Sequence, residues 1–269
     1  MDRPTTGHAY LDDAVSSGGV IAMAHRGGAR HPDLLGTENT AHAFRHAVGL
    51  GYRYLETDVH ATRDGGLIAF HDDVLDRVTD QSGPVATASE ATLRRARIGG
   101  AHAIPTMADL LDEFAHCRFN IDLKGDGAGN ALADLLDATG AHDRVCVGSF
   151  SRARIQEFRR RTAGAVATSA APVEVAAYLA APTAEIARRL TGGRVAALQV
   201  PHRRGPLPVV TDALVRRAHR AGVQVHVWTI DERAEMEELL DLGVDGLITD
   251  RTDVLKDLLV TRGLWRDHP

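Results

Sequence analysis

Three times this chain runs an amphipathic helical segment into a glycine and then into an apolar strand. That order constrains the fold more than anything else in the sequence. Residues 39–50 lead to Gly51 and the run through Glu56; residues 211–221 lead to Gly222 and the run through Trp228; residues 232–242 lead to Gly243 and the run through Thr249. Glycine after a helix suits the left-handed C-cap conformation, and strands alternating with helices predict a parallel sheet. Eight candidate strands fall near residues 20–24, 53–58, 119–124, 144–149, 165–169, 195–200, 223–228 and 244–249. Eight strands close a TIM (β/α)8 barrel, and 269 residues is close to the size of one such domain. The chain is therefore read as α/β, a single barrel domain over 1–269. An open doubly wound sheet is the runner-up, but no G-x-G-x-x-G follows the first strand.

Chemistry sits at the end of one apolar run after another. Val20-Ile-Ala-Met-Ala ends in His25-Arg26-Gly27, Tyr52-Arg-Tyr-Leu ends in Glu56-Thr-Asp58, and Phe119-Asn-Ile ends in Asp122-Leu-Lys124. A barrel enzyme builds its active site on the rim at the C-terminal ends of its strands. One connection is too long for a simple crossover. Residues 65–105 hold the apolar run Leu67-Ile-Ala-Phe70, then His71-Asp72, then a turn-rich stretch around Gly83-Pro84. This segment is expected to be an ordered insertion over the barrel mouth, followed by a helix near Thr106, which has capping-box spacing to Asp109. The stretch Pro201–Pro208 reads as an irregular loop, and residues 1–18 as a loosely ordered cover.

Composition bounds the partners. Acidic residues outnumber basic ones, 36 to 31, for a formal net charge of -5, so no global positive field draws nucleic acid or an anionic membrane. An anionic substrate therefore needs local cations or a metal. Cys117 and Cys146 make neither a disulfide framework nor a metal spacing, and Cys146 reads as core. No secretory signal and no integral membrane segment is visible, so a cytoplasmic location is expected. The oligomeric state is unknown from sequence.

Residues two apart on a strand share a face. Glu56 with Asp58, and Asp122 with Lys124, thus point the same way, and three carboxylates converge if those faces meet. Oxygen-only ligands suit Mg2+ or Ca2+; the plainer alternative is ion pairing with arginines such as Arg53. Arg26 offers a donor fork that matches phosphate oxygens, and His25 can exchange a proton near neutral pH. Taken singly, His25 and His71 read more readily as satisfied core or surface histidines, since fourteen are scattered through the chain. Glu38-Asn39-Thr40 reads as a helix start, with Asn39 or Thr40 as cap and Glu38 holding Arg26 or a substrate hydroxyl. Gln199 is a polar contact or a satisfied amide, and Trp228 a platform for substrate carbons or core.

In order, His25-Arg26-Gly27, Glu38-Asn39-Thr40, Glu56-Thr-Asp58, His71-Asp72, Ile104-Pro-Thr106, Asp122-Leu-Lys124, Ser149-Phe150, Val227-Trp-Thr229 and Asp245-Gly-Leu-Ile-Thr-Asp250 resemble the glycerophosphodiester phosphodiesterase family. The resemblance covers about residues 20–255. It implies a TIM-barrel hydrolase with one divalent cation, Mg2+ or Ca2+, held by Glu56, Asp58 and Asp122. It implies His25 and His71 as the catalytic pair, with Arg26 and Lys124 at the phosphate and Glu38 beside it. The implied substrate is a small-molecule glycerophosphodiester, and the implied products are sn-glycerol 3-phosphate and an alcohol. In the implied course the glycerol's 2-hydroxyl attacks first and water opens the cyclic phosphate. The pattern departs from the family at Asp122, where glutamate is frequent, at Thr37, where proline is common, and at Val78. Two alternatives stand beside it. One is a lysophospholipase D-like hydrolase on the same fold, which needs an apolar groove that the loops do not display. The other is a catalytically silent barrel that binds phosphate ligands. An amidohydrolase barrel is set aside, because His25 is followed by Arg26 and Gly27 and not by an H-x-H pair.

Overall fold

The structure, a computed structural model, describes residues 3–16 and 18–266. Eight parallel strands form the barrel: β1 Ile21–His25, β2 Tyr54–Ala61, β3 Arg118–Leu123, β4 Val145–Gly148, β5 Ala167–Thr168, β6 Ala197–Pro201, β7 Gln224–Trp228 and β8 Gly246–Thr249. The hydrogen-bonded order is β5-β4-β3-β2-β1-β8-β7-β6. The ring closes between β5 and β6 through a parallel bridge from Ser169 to Ala197 and two backbone bonds, Ala196 N to Thr168 O and Ala170 N to Ala197 O, both 2.9 Å. Helices cover the outside, so the fold is the TIM barrel expected from the strand count.

The two-residue period of each strand sorts its side chains. Ala22, Ala24, Leu55, Ile121, Val147, Val225 and Leu247 face outward into the large core shared with the helices. Ile21, Met23, Tyr54, Cys146, Ala167, Ala197 and Ile248 form a second core inside the barrel. Continuing the inward rows by two residues reaches His25, Glu56, Asp58 and Asp122. The apolar floor and the polar rim are thus one face of the same strands.

The helix starts follow local chemistry. Thr40 caps Ala41–Gly49 by accepting from Ala43 N at 3.1 Å, and Thr211 caps Asp212–Arg220 in the same way. Thr106 Oγ1 accepts from Asp109 N at 3.0 Å ahead of Met107–Glu113.

Two expectations are corrected. Residues 9–16 are a helix, not a loose cover, and Tyr10, Leu11 and Ala14 are buried against the inner core. Tyr10 meets Tyr54 edge-on at 5.2 Å, and Tyr54 donates to the Tyr10 carbonyl at 2.8 Å. An apolar row of small and aromatic residues closes the bottom of the barrel because burying it removes apolar area from water. The loop at 201–208 is not wholly irregular: Arg203–Arg204 and Leu207–Pro208 pair as a short antiparallel ladder.

After β2 the chain turns back as the short strand Leu67–Ala69, antiparallel to Val59–Ala61. Its Ile68 and residues beyond it pack a small core of their own, with Phe70, Leu75, Val85, Leu93, Ala96, Ile98 and Ile104.

Candidate active site

Parallel register brings the strand ends together. His25 lies opposite Glu56 on β2, and Asp58 opposite Asp122 on β3. Asp122 in turn lies opposite Gly148, where a Cβ would come within 2.7 Å of Ser169 Oγ and 3.9 Å of Asp122 Oδ1. Glycine there keeps the floor open. Above it is a cavity of about 650 Å³, bordered by His25, Arg26, Glu56, Asp58, His71, Asp122, Lys124, Gln199 and Trp228. Nine of the ten residues singled out from the sequence therefore meet in one cavity. The tenth, Glu38, stands behind Arg26 and does not border it.

The carboxylates are paired with cations from within the site. Lys124 Nζ bridges Asp58 Oδ1 at 2.9 Å and Asp122 Oδ2 at 2.7 Å. Arg26 sets Nε 3.1 Å from Asp58 Oδ2 and NH1 3.0 Å from Glu38. Asn39 Nδ2 donates to Asp58 Oδ2 at 3.2 Å, and Thr57 Oγ1 fixes Asn39 by donating to its Oδ1 at 2.8 Å. The ion pair with Arg53 does not form; that side chain donates to the Tyr52 carbonyl. Glu56 has less help: its Oε2 accepts the Arg26 amide at 3.0 Å and lies 3.8 Å from His25 Nε2.

The protonation tendencies follow from that layout. Burial pushes the Glu56 carboxyl up to about 7, against the pull of His25 and with the aid of the Asp58 charge. Burial also favours raising Asp58, but Lys124 and Arg26 outweigh it and hold Asp58 below the ordinary range. Asp122 stays raised, since burial exceeds the pull of Lys124. Burial opposes the Lys124 charge, yet Asp58 and Asp122 raise its pKa. His25 is raised likewise, because Glu56 and Asp250 overcome the effect of burial.

Each catalytic candidate has its Nδ1 held by a carboxylate. Asp250 Oδ1 takes His25 Nδ1 at 2.8 Å, and Asp72 Oδ1 takes His71 Nδ1 at 2.6 Å. Neither Asp250 nor Asp72 received a role from the sequence. The signals were present: Asp72 adjoins His71, and Asp250 is two residues beyond the inward Ile248. Arg77 was also missed. It grips Asp72 through Nε at 2.6 Å and Glu38 through both terminal nitrogens.

Gln199 resolves as a satisfied amide, donating to Asn120 Oδ1 at 2.7 Å while bordering the cavity. Trp228 stands edge-on to Phe150 at 5.8 Å, and Lys124 lies over the Phe150 ring. The same cavity is bordered by Val175, Leu179, Val200, Pro201, Val209 and Trp228, apolar side chains that come from separate segments of the chain.

The family model of the glycerophosphoryl diester phosphodiesterases matches residues 25–254. The chain belongs to this family. Its activity is that of a glycerophosphodiester phosphodiesterase, a phosphoric diester hydrolase. It is 42% identical over 268 residues to the probable glycerophosphodiester phosphodiesterase 2 of Mycobacterium tuberculosis, covering 96% of this chain and 98% of that one. It is 25% identical over 260 residues to a glycerophosphodiester phosphodiesterase of Caldanaerobacter subterraneus, covering 89% and 98%. An Oleispira antarctica phosphodiesterase, solved in complex with the product sn-glycerol-3-phosphate, shares the fold at TM-score 0.74 and 21% identity, over 91% of this chain and 98% of that one. A Silicibacter pomeroyi crystal structure superposes at TM-score 0.81 and 23% identity, over 97% of this chain and all of that one. Among the described residues no helix is long and apolar enough to cross a membrane. A separate group, His31, Asp33 and His46, holds possible metal-ligand atoms within 4.8 Å of one another.

Proposed function

We propose that this family member hydrolyses glycerophosphodiesters to sn-glycerol 3-phosphate and an alcohol, using one divalent cation and the pair His25 and His71. The carrying observation is that both histidines, three carboxylates, Arg26 and Lys124 border one cavity. In this reading residues 1–269 are one catalytic domain, and 65–105 an insertion that brings His71 to the barrel mouth.

The donor set suits a hard cation. Glu56, Asp58 and Asp122 offer oxygen alone, and Asp58 with Asp122 already draws the Lys124 ammonium to within 2.9 Å. Among the described residues, the only ion-pair partner within 4 Å of Glu56 is His25. These three carboxylates would hold the cation, which would offset phosphate charge and polarise a phosphoryl oxygen.

The chain's own residues do the remainder. Arg26 would bring its guanidinium charge to the phosphate, fixed from behind by Glu38 through NH1. Lys124 adds a second positive charge at the same place. One histidine takes the proton of the attacking glycerol hydroxyl, and the other gives a proton to the departing alkoxide. Their roles reverse when water opens the cyclic phosphate. Asp250 and Asp72 hold each ring through Nδ1, which would leave Nε2 for the proton transfers, and positioned acid-base help of this kind contributes on the order of 10^2 to 10^4 in rate.

The apolar wall formed by Val175, Leu179, Val209 and Trp228 favours a second reading, in which the glycerol that keeps the phosphate carries an acyl chain, as in a lysophospholipid, and the head group departs. One experiment tests both. Glycerol 3-phosphate release from glycerophosphocholine, and choline release from lysophosphatidylcholine, are followed with Mg2+, with Ca2+ and with EDTA. EDTA-sensitive release from glycerophosphocholine is expected. Release only from the lysolipid makes the second reading the right one. Full turnover in EDTA removes the cation from the proposal, and no turnover of either substrate by folded protein leaves the silent phosphate-binding barrel.

A further inference from the structure

His31 and Asp33 lie in the loop after β1, at the turn Pro32–Leu34, and His46 lies in the last turn of helix Ala41–Gly49. None of the three borders the catalytic cavity. Asp33 Oδ2 is 3.8 Å from His31 Nδ1 and 3.8 Å from His46 Nε2. The two imidazoles face each other with ring centroids 4.3 Å apart. In a tetrahedral site with bonds of about 2.0–2.2 Å, ligand atoms stand roughly 3.4 Å apart. The two carboxylate–imidazole distances are about 0.4 Å longer than that spacing, and all three donors lie within 4.8 Å of one another.

His31 Nδ1 accepts the Asp33 amide hydrogen at 3.2 Å, so this nitrogen carries a lone pair, and a metal there takes the place of that hydrogen bond. His46 Nε2 faces Asp33 at a distance too long for a hydrogen bond, and its Nδ1 is buried with no partner. Burial, then the neighbouring His31, lowers the His46 pKa. Two imidazoles and one carboxylate are the ligands of zinc-like ions, whereas Mg2+ and Ca2+ want oxygen.

We propose that His31, Asp33 and His46 form a second metal site, for a borderline transition ion such as Zn2+, separate from the carboxylate cluster. An ion there ties the loop after β1 to the helix that follows it. That loop begins after Arg26 and ends at Glu38, so the site stiffens the segment that holds the phosphate-binding arginine in place.

Chelator-stripped protein is titrated with Co2+ as an optical stand-in. The expected result is a visible band of imidazole-bound Co2+ that saturates at a single equivalent and is displaced by Zn2+. The band persists in Asp122→Asn, which weakens the catalytic cluster, and affinity falls at least about tenfold in His46→Gln and in Asp33→Asn. Excess Zn2+ at a hundred times Kd raises Tm by roughly 5–8 °C in the parent chain and in Asp122→Asn, but not in His46→Gln or Asp33→Asn. No band, or unchanged affinity in both variants, overturns the proposal. The Asp33 side chain is 75% exposed, so Asp33→Asn keeps the test valid if His46→Gln fails to fold.

Discussion

Arg77 and Glu38 meet in a two-pronged ion pair, NH1 to Oε2 at 2.8 Å and NH2 to Oε1 at 2.7 Å. The same guanidinium holds Asp72, the residue that orients His71. Arg77 thus joins the support of Arg26 on one side of the site to the support of His71 on the other. Its hydrogen bonds are the main reason that the Asp72 carboxyl sits down at about 2. Arg77→Ala is expected to lower kcat about 10–100-fold while leaving the fold intact, because His71 loses its fixed orientation and not its chemistry. Arg77→Lys keeps the charge but not the fork and recovers only part of the loss. In an NMR titration the Asp72 midpoint should move from about 2 toward the ordinary carboxylate range in Arg77→Ala. An unmoved midpoint with unchanged kcat shows that the arginine is only surface decoration.

Asp250 plays the matching part for His25, at 2.8 Å from Nδ1. It is itself held, since its amide donates to Asp231 Oδ1 at 2.9 Å. Asp250→Asn keeps the shape but removes the charge that favours the imidazolium and the right tautomer. The expected outcome is a fall in kcat of roughly 10^2, with KM changed less than about threefold, if His25 exchanges protons through Nε2. A change confined to KM assigns Asp250 to substrate binding instead.

The strands and their inward faces were legible because the period of two is imposed locally by the pleat. Ile21, Met23 and His25 can be read as one row before any fold is known. Gly51, Gly222 and Gly243 marked the helix ends for an equally local reason, their positive φ of 96°, 76° and 83°. The role of Arg77 was not legible, since its partners are 5 and 39 residues away and the grip depends on how the segment after β2 folds back. The apolar wall was hidden for another reason. Helix Pro172–Ala180 buries Tyr178 and Glu174 on one side while Val175 and Leu179 border the cavity from the other. A helix with two apolar faces reads in sequence as an ordinary packed one. The N-terminal helix was misread because eight residues are too few for a marked period, and the groove it fills exists only after the barrel closes.

Gly27 shows how tightly the site loop lies on the next helix. Its φ is +87°, and an added Cβ would come within 2.6 Å of Ala43 Cβ and 2.9 Å of the Ala43 carbonyl carbon. Gly27→Ala therefore combines an unfavourable left-handed backbone with overpacking against helix Ala41–Gly49. A loss of about 2–4 kcal/mol is expected in urea unfolding. Activity should fall as well, because Arg26 moves with its neighbour. A variant as stable as the parent means that the helix can retreat at little cost.

His226 lies fully buried inside the barrel on β7, with Gln224 Oε1 at 3.1 Å from Nε2 and Gln199 Nε2 at 3.4 Å from Nδ1. Burial holds its pKa down at about 4, with Asp245 opposing only weakly. The unfolded chain takes up a proton on this ring near pH 6.5, whereas the folded chain does so only near 4. Between those values the unfolded state binds more protons, so stability falls as the pH drops from 6.5 through 4 and rises again in the other direction. The full loss is on the order of 3 kcal/mol. His226→Gln leaves an amide that cannot titrate in this range. Urea unfolding of both chains at pH 7.5, 6 and 5 should show the parent losing stability faster than the variant, with the gap between them changing by at least about 1 kcal/mol. Parallel pH curves mean that the ring is already charged, or already free of protons, in both states.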